Sequence, residues 1–388
     1  MSEPPLDEQA SQALSMIRSN HDPALTPNLH TLRWEATHSN YVHLLPIFIS
    51  GRLRSLHIPK KFGSQIWSAN IPPLCPSLEI FSLAGGTRES VDLGFLDQWE
   101  RLRFAICLTS LTPQALKRIS TCPDLQSLAL SIYDHEAWAQ AIGLDHTSFP
   151  KLVATTIGCL SLDPASAWLK RLQLPKLKII VIITHVAAPG SVACLFNILQ
   201  RHPLSTISLY TADSEERHQV SISVLRLLFN CPLLTQLSIN VCSFAVGDKD
   251  LEALSKAFPK LKVLDIMTHS SQEPSMITLN GLVPLLKYCP NLYTLKISIN
   301  ATRIRDNDDR PGNGVRNTYI TKLSLHKSPI GNVERAALFL SDILPNVRTI
   351  EETSTSESWK KVATLLEVFN LARKQERRWC ARRSRSTK

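Results

Sequence analysis

Several features that mark other classes of protein are missing from this chain of 388 residues. No apolar run approaches the ~18 residues of a membrane-spanning helix, and residues 1–19 lack the basic start and apolar centre of a signal peptide. We therefore expect the protein in the cytoplasm, the nucleus or both, without a membrane partner. The nine cysteines form no Cys-x-x-Cys pair, so neither a zinc site nor a disulfide framework is indicated, and reduced thiols are expected.

The motifs of common enzyme classes are also missing. There is no Gly-x-Ser-x-Gly, no Walker loop, no Gly-x-Gly-x-x-Gly and no His-Glu-x-x-His. One polar cluster, Asp134-His135-Glu136 followed by Asp145-His146, has metal-ligating side chains, but its place between two strands favours a solvated loop. We expect no enzymatic activity, no catalytic residue, no cofactor and no metal. A GTPase activator that uses an exposed arginine such as Arg33 is the remaining enzymatic alternative.

Aromatic residues make up only 6% of the chain while 44% is hydrophobic, a balance that suits a long aliphatic core. Residues 371–388 hold eight Lys or Arg and one Glu, so seven of the ten net positive charges lie at this end. The basic tail comprises Arg373, Lys374, Arg377, Arg378, Arg382, Arg383 and Arg385. It fits a solvated end, a nuclear-import or acidic-partner patch, or nucleic-acid binding. Nucleic acid is the least favoured, because Trp379 is the only aromatic residue there.

One short phrase recurs: Cys or Phe, then Pro, then a strand pattern of the form Leu-x-x-Leu-x-Leu. Clear copies span 122–130, 231–239, 258–266 and 289–297. The first apolar residue of each strand gives thirteen anchors: Leu29, Leu53, Leu78, Leu102, Leu125, Leu152, Leu177, Leu204, Leu234, Leu261, Leu292, Ile320 and Val347. Their mean spacing is about 26.5 residues, inside the ~20–29 residue range of leucine-rich repeats. Because the Cys recurs at one repeat position, we expect small buried core residues there rather than nucleophiles.

Between the strands the apolar period becomes helical. Thr112-Pro113 predicts an N-cap and a first turn, Asp248 is expected to cap a second helix, and Asn332 or Val333 begins a third. Alternating strands and helices give parallel strands with right-handed crossovers, and a single helix layer curves the sheet. The sequence therefore predicts an α/β, right-handed leucine-rich-repeat solenoid, a horseshoe with strands on the concave face and helices on the convex face.

This interpretation divides the chain into four parts. Residues 1–26 are expected to be disordered, 27–356 to form the solenoid, 357–372 a C-terminal capping helix and 373–388 the basic tail. The capping helix is predicted from Trp359, Val362, Leu366 and Phe369, which lie on one helical stripe. The polar stretch 300–317 has no apolar period and is expected to be a mobile loop.

The concave face is where we expect a protein partner to bind. If side chains alternate along the strands, Ile179, Val181 and Ile183 face inward, with Tyr210 and Met267 further along. Exposed apolar side chains on an otherwise small and polar surface are plausible anchors for a partner. The alternative is that a loop covers them or that the strand has another register.

The phrase Cys-Pro-x-Leu-x-x-Leu-x-Leu resembles the cysteine-containing leucine-rich repeats of F-box proteins. Leu32-Arg33-Trp34, then 45–50 before Leu53-x-x-Leu56-x-Ile58, are similar to the repeat region of fungal F-box proteins. The resemblance implies a substrate-recognition array for a ubiquitin ligase, with a Skp-type adaptor as partner if an F-box is present elsewhere. Residues 1–26 contain no Leu-Pro-x-Glu-[Ile/Leu]-Leu core, so a relative lacking the F-box is the other form. The alternative function is a nuclear or nucleic-acid-associated protein that acts through the basic tail.

Overall fold

The computed structural model describes residues 25–34, 44–59, 71–84, 90–91, 96–132, 148–211, 219–267, 275–304, 312–325, 327–352 and 357–386. The strands in these ranges are β1 (Thr31–Arg33), β2 (Ser55–Pro59), β3 (Ile80–Ala84), β4 (Ser90–Val91), β5 (Phe104–Leu111), β6 (Ser127–Ile132), β7 (Ala154–Ser161), β8 (Ile179–Val186), β9 (Thr206–Thr211), β10 (Gln219–Val220), β11 (Gln236–Phe244), β12 (Val263–Met267), β13 (Thr294–Ile297), β14 (Lys322–Leu325) and β15 (Thr349–Glu352). The α-helices are α1 (Leu45–Phe48), α2 (Pro113–Ser120), α3 (Leu162–Arg171), α4 (Pro189–Leu199), α5 (Ile222–Arg226), α6 (Asp248–Ala257), α7 (Leu282–Tyr288), α8 (Val333–Ile343) and α9 (Glu357–Ser386). The segment predicted to be disordered lies outside the described residues up to position 24, and so do residues 305–311 of the loop predicted at 300–317.

The chain forms two compact units, Met1–Ile183 and Thr184–Lys388. In the first unit the sheet order is β1, β2, β3, β5, β6, β7, β8, with the short β4 beside β5. In the second unit the order is β9, β11, β12, β13, β14, β15, with β10 beside β11. In each unit, therefore, each successive repeat adds its strand next to the strand of the repeat before it, as in a solenoid.

The thirteen sequence anchors set the positions of the strands. Each of the thirteen long strands begins two residues after its anchor: Leu125 precedes β6, which begins at Ser127, and Leu292 precedes β13, which begins at Thr294. Twelve anchors are buried and Leu29 is half-buried. The predicted leucine-rich-repeat fold with parallel strands is thus confirmed.

The second and fourth residues of each strand build the core. Leu237 and Ile239 of β11 are both fully buried and stand in register with Leu264 and Ile266 of β12. The same pairing joins Leu295 of β13 to Leu323 of β14. Identical positions therefore stack from one repeat to the next and form a continuous aliphatic core, which no single repeat could bury alone.

A shared backbone acceptor links successive repeats at the point where each strand starts. The carbonyl of Arg103 accepts hydrogen bonds from the amides of Gln126 and Ser127, at 2.8 and 3.0 Å. The carbonyl of Lys262 does the same for Tyr293 and Thr294, at 2.9 and 3.2 Å. Because the residue that accepts in one repeat is equivalent to the residue that donates in the next, this bonding fixes the register.

Two of the three helix caps predicted from the sequence are present, and the third is wrong. Thr112 Oγ1 accepts from the amide of Ala115 at 3.2 Å, as the sequence predicts for α2. Asn332 Oδ1 accepts from the amide of Arg335 at 2.8 Å and caps α8. Asp248, however, is the first residue of α6, and Asp250 Oδ2 instead accepts from the amide of Gly247 at 3.3 Å.

Residue alternation leaves one set of strand positions off the core. The burial of β8 alternates along Ile179–Val186, with Ile180, Ile182 and Thr184 buried and the residues between them exposed or half-buried. We name the first, third and fifth positions of each long strand the open face. These positions are free of the apolar repeat pattern, so they are the part of the sheet on which sequence can vary without loss of the core.

Candidate functional site

In the first unit, the third strand positions of the open face form a row of neighbours. Strand register pairs the successive members from β1 to β7: Arg33, His57, Ser82, Ile106, Ala129 and Thr156. Val181 holds the same position in β8. The row is therefore basic and polar at the β1 end and gives way to small and apolar residues toward β8.

At the β1 end, His57 is held as a neutral side chain. Its Nε2 lies 2.8 Å from Ser55 Oγ on the same strand. Burial lowers the pKa of His57 below its ordinary value, and the nearby charge of Arg33 lowers it further. At neutral pH the positive charge of this end of the row is accordingly that of Arg33.

Strand β8 presents the apolar residues that the sequence singled out. Ile179 and Ile183 are 37% and 40% exposed, and Val181 between them is half-buried. Ile180 and Ile182, which alternate with them, are fully buried. We name Ile179, Val181 and Ile183 the apolar strip. The exposed Ile179 and Ile183 are large aliphatic side chains at the first and fifth strand positions, where most other repeats place small or polar residues.

In the second unit, the third positions form a polar row. Register pairs Ser208, Ser238, Asp265, Lys296, Ser324 and Glu351 from β9 to β15. Tyr210, predicted as a partner-binding residue, is half-buried on β9. Met267, the other predicted residue here, ends β12 with its backbone paired to Ser243, and its side chain lies outside the described residues. This row is more polar than the apolar strip and contains charges of both signs.

The charged members of the polar row are paired across strands. Lys296 Nζ lies 3.3 Å from Asp265 Oδ2, a carboxylate that is 6% exposed. Lys322 Nζ lies 2.5 Å from Glu351 Oε1, and Ser324 Oγ donates to Glu351 Oε2 at 3.2 Å. The hydrogen bond from Lys322 holds the pKa of Glu351 below its ordinary value, with Ser324 contributing. Ser208, Ser238, Asp265 and Ser324 are themselves buried, so the accessible part of the row is mainly Lys296 and Glu351, which carry opposite charges.

The basic residues at the C-terminus belong to a helix. The boundary predicted between residues 372 and 373 falls inside α9, which runs without a break from Glu357 to Ser386. Arg373 is half-buried and donates to the carbonyl of Ser341, while Lys374 and Arg378 are exposed. Arg377, Arg382, Arg383 and Arg385 lie on the same helix by their backbone, and their side chains are outside the described residues.

The cysteines of the repeated phrase sit in the core. Cys75, Cys122, Cys231 and Cys289 are buried, as the sequence predicts. Burial raises the pKa of Cys75 and Cys289 to about 12 and that of Cys231 to about 11. Because the thiolate is the nucleophilic form, these residues are placed for packing and not for reaction.

The polar cluster considered as a metal site, Asp134 to Glu136 with Asp145 and His146, lies outside the described residues. Among the residues that the structure does describe, no group of three or more His, Cys, Asp or Glu side chains is placed to hold a metal ion. In the same part of the chain, no helix has the length and apolar content needed to span a membrane.

One residue of the open face was not predicted from the sequence. Ile106 is half-buried at the third position of β5 and pairs with Ser82 and Ala129. The sequence contains the information needed to find it. The third residue of each long strand lies four residues after the anchor, and Leu102 is the anchor of β5. The degraded pattern Phe-Ala-Ile-Cys hid it, since alanine and cysteine take the core positions usually held by leucine.

The fold defined by these repeats is that of a leucine-rich-repeat protein. Among solved structures the chain is similar to an internalin of Listeria monocytogenes, at 14% identity and a TM-score of 0.43, over 90% of this chain and 96% of that one. It is also similar to a leucine-rich-repeat protein of Leptospira interrogans, at 13% identity and a TM-score of 0.42, over 93% of this chain and 92% of that one. No protein-family model and no curated protein matches the sequence.

Proposed function

We propose that this protein is a scaffold that binds another protein through the open face of its repeats, with the apolar strip on β8 as the anchor. The observation that carries the proposal is the exposure of Ile179 and Ile183 on a strand whose intervening residues are fully buried. Burying two such side chains against a partner removes apolar surface from water, which is the main driving force of association. A partner with an apolar side chain at the centre of its contact surface fits this strip best.

Substitution of the strip tests the proposal. In the variant Ile179→Thr/Ile183→Thr both side chains stay β-branched, so the strand propensity and the buried alternate residues are retained. The matched control is Leu338→Gln on α8, which removes an exposed aliphatic residue of similar accessibility from a helix. Tagged wild type, variant and control are used to capture proteins from the source cells, and captured candidates are purified and titrated by calorimetry.

The expected result is at least one protein that wild type and control bind alike and that the strip variant binds about tenfold more weakly or worse. Equal binding by all three chains, for every purified candidate, would remove the strip as an anchor. Unfolding midpoints measured in parallel show whether a loss of binding reflects lost contacts or a damaged fold.

We further propose that the array is the substrate-recognition part of an F-box-type ubiquitin ligase receptor, or of a relative that lacks the F-box. The support is the resemblance of the Cys-Pro-x-Leu-x-x-Leu-x-Leu phrase to repeats of that family, together with a scaffold role for the open face. The test is a binding titration between this chain and a purified Skp-type adaptor by biolayer interferometry. A saturable complex supports recruitment of a ligase by this chain, and its absence leaves a stand-alone scaffold.

A further inference from the structure

Among the described side chains of helix α9, hydrogen bonds to the repeats are made at Trp359 and at Arg373. Trp359 Nε1 donates to the carbonyl of Ser328 at 2.7 Å, and Arg373 donates to the carbonyl of Ser341. The first acceptor, Ser328, precedes α8, and the second, Ser341, lies within α8 near its end at Ile343. From Arg373 the helix continues to Ser386, a further distance of about 20 Å at 1.5 Å per residue.

Just beyond Arg373 the described side chains of the helix are exposed. Lys374, Gln375, Glu376, Arg378 and Trp379 are all exposed, and these positions cover the side of the helix that faces away from Trp359, Val362 and Leu366. By contrast, Trp359, Val362 and Leu366 in the first half are buried. Side chains on the solvent-facing side of a helix gain little stability from packing, so another use for large apolar residues there is expected.

The solvent-facing side of α9 carries large apolar side chains. Leu371 is 61% exposed and Trp379 is 60% exposed, and Val368 is exposed as well. Their spacing of three and eight residues puts all three on one side of the helix, opposite the side that holds Trp359, Val362 and Leu366. The helix therefore has two apolar sides, one buried against the repeats and one facing solvent.

Basic residues flank the solvent-facing apolar side. Lys374, Arg378 and Arg382 follow one another at intervals of four residues, which places them in a row on the helix beside Trp379. This end of the chain carries seven of its ten net positive charges. A surface that combines exposed Leu and Trp side chains with a row of positive charge calls for a partner with apolar surface and carboxylates together.

We propose that the segment 368–386 of α9 is a second protein-docking surface, which binds in an apolar groove rimmed by carboxylates on an acidic protein. Arg is preferred over Lys by six to one between residues 373 and 385, and Arg and Trp are the residues most enriched at protein interfaces. A nucleic-acid surface would use several aromatic residues, and a membrane-surface helix would not place Gln375 between Leu371 and Trp379. The docking surface on α9 is separate from the open face, and this proposal does not depend on the function proposed for the open face.

The test uses the full chain and calcium-loaded calmodulin as a model acidic protein with an apolar groove. Binding is measured by calorimetry at physiological salt for wild type, for Leu371→Ser/Trp379→Ser and for Arg378→Glu/Arg382→Glu. The matched controls are Tyr319→Ser, an aromatic residue of equal exposure, and Arg201→Glu/Arg348→Glu, a double charge reversal away from α9. A DNA duplex of random sequence and vesicles containing phosphatidylserine are titrated in the same way.

We expect wild type and both controls to bind calmodulin with dissociation constants in the micromolar range, and each α9 variant to bind at least about tenfold more weakly. Affinity should also fall as salt rises, because the Arg row contributes through charge. The proposal is overturned if calmodulin does not bind, if the α9 variants bind like wild type, or if duplex DNA or vesicles bind more tightly with the same dependence on α9. Loss of binding by Ile179→Thr/Ile183→Thr would also contradict it.

Discussion

Asn317 occupies the place that Cys289 and Leu344 hold in the two neighbouring repeats, three residues before the anchor. In those repeats the anchor amide bonds to the backbone carbonyl of that residue, as from Leu292 to Cys289 at 3.2 Å. Here the side chain of Asn317 replaces this bond. Its Oδ1 accepts from the amides of Tyr319 and Ile320 at 2.9 and 3.0 Å, and its Nδ2 donates to the carbonyl of Leu292 at 2.8 Å. One buried amide thus ties two repeats together.

Replacement of this amide should be among the more costly polar substitutions in the chain. We expect Asn317→Ala to lower the free energy of unfolding by about 2–4 kcal/mol, because it leaves several buried backbone groups without partners. Urea denaturation measures the change. The control is Asn346→Ala, whose exposed side chain makes a single bond to the carbonyl of Thr318 and should cost less than about 1 kcal/mol. Equal effects of the two substitutions would contradict the assignment.

Cys289 shows why cysteine suits the same repeat position. Its Sγ donates to the carbonyl of Phe258 at 3.4 Å and to that of Ser255 at 3.6 Å, and the residue is fully buried. Burial raises its pKa from 9.0 to about 12. Since the folded-state pKa is higher than the unfolded one, the thiol contributes stability below pH 9 that is lost as the pH rises toward 12.

The stability of the protein above pH 9 should therefore depend on this thiol. We expect wild type to lose up to about 1.4 kcal/mol more than Cys289→Ala for each pH unit between about 9 and 11. Guanidinium denaturation at a series of pH values gives the two slopes. Leu286→Ala, a nearby core substitution without an ionisable group, should run parallel to wild type. A Cys289→Ala slope that also runs parallel would mean that the buried thiol is already ionised or hydrated.

At the scale of secondary structure, α6 shows that a helix end can serve the next repeat instead of its own helix. Asp248, the first residue of α6, accepts hydrogen bonds from the amide and the hydroxyl of Thr278, both at 2.7 Å. The cap of α6 comes from Asp250, which also pairs with Arg226 of the preceding repeat at 2.8 Å. The two acids of one turn therefore connect three successive repeats.

The contacts described for helix α9 lie between Trp359 and Arg373. Truncation after Lys374 keeps the contacts of Trp359, Leu366 and Arg373, so we expect the thermal unfolding midpoint to stay within about 2 °C of wild type. Truncation after residue 356 removes the cover of the last repeat and should lower the midpoint markedly or cause aggregation. Circular dichroism and size-exclusion chromatography distinguish the two. A large loss of stability in the variant truncated after Lys374 would mean that the deleted part of α9 packs against the repeats.

At the scale of the whole molecule, stability is distributed along the repeats. Each strand is bonded to its neighbours in the sheet, and the shared carbonyl acceptors recur from repeat to repeat in both units. Stability of such an array is close to a sum of repeat terms and nearest-neighbour terms. A defect in one repeat should accordingly loosen the adjacent strands first.

A pair of core cavities tests this local response. Leu128→Ala in β6 and Leu264→Ala in β12 each remove a fully buried side chain, at an expected cost of about 2–5 kcal/mol. We expect faster hydrogen exchange in β5 to β7 for the first variant and in β11 to β13 for the second, measured by mass spectrometry. Each variant serves as the control for the other. The same set of accelerated peptides in both would show that the chain opens as one cooperative unit.

The sequence by itself determined where the strands lie and which of their residues form the core. The anchors place each strand to the residue, and the caps at Thr112 and Asn332 follow from local hydrogen bonding within one turn. The alternation that exposes Ile179 and Ile183 is equally local, because successive residues of a strand point to opposite faces. These features are predictable because the information lies within a few residues.

Only the tertiary structure decided the features that join one repeat to another. The role of Asp248 depends on Thr278, and that of Asn317 on Leu292, each supplied by a different repeat. The ion pairs Lys296 to Asp265 and Lys322 to Glu351 require the strand register across the sheet. The continuation of α9 through the basic residues likewise follows from its buried first half, since packing of Trp359, Val362 and Leu366 nucleates a helix that the basic sequence alone would not stabilise.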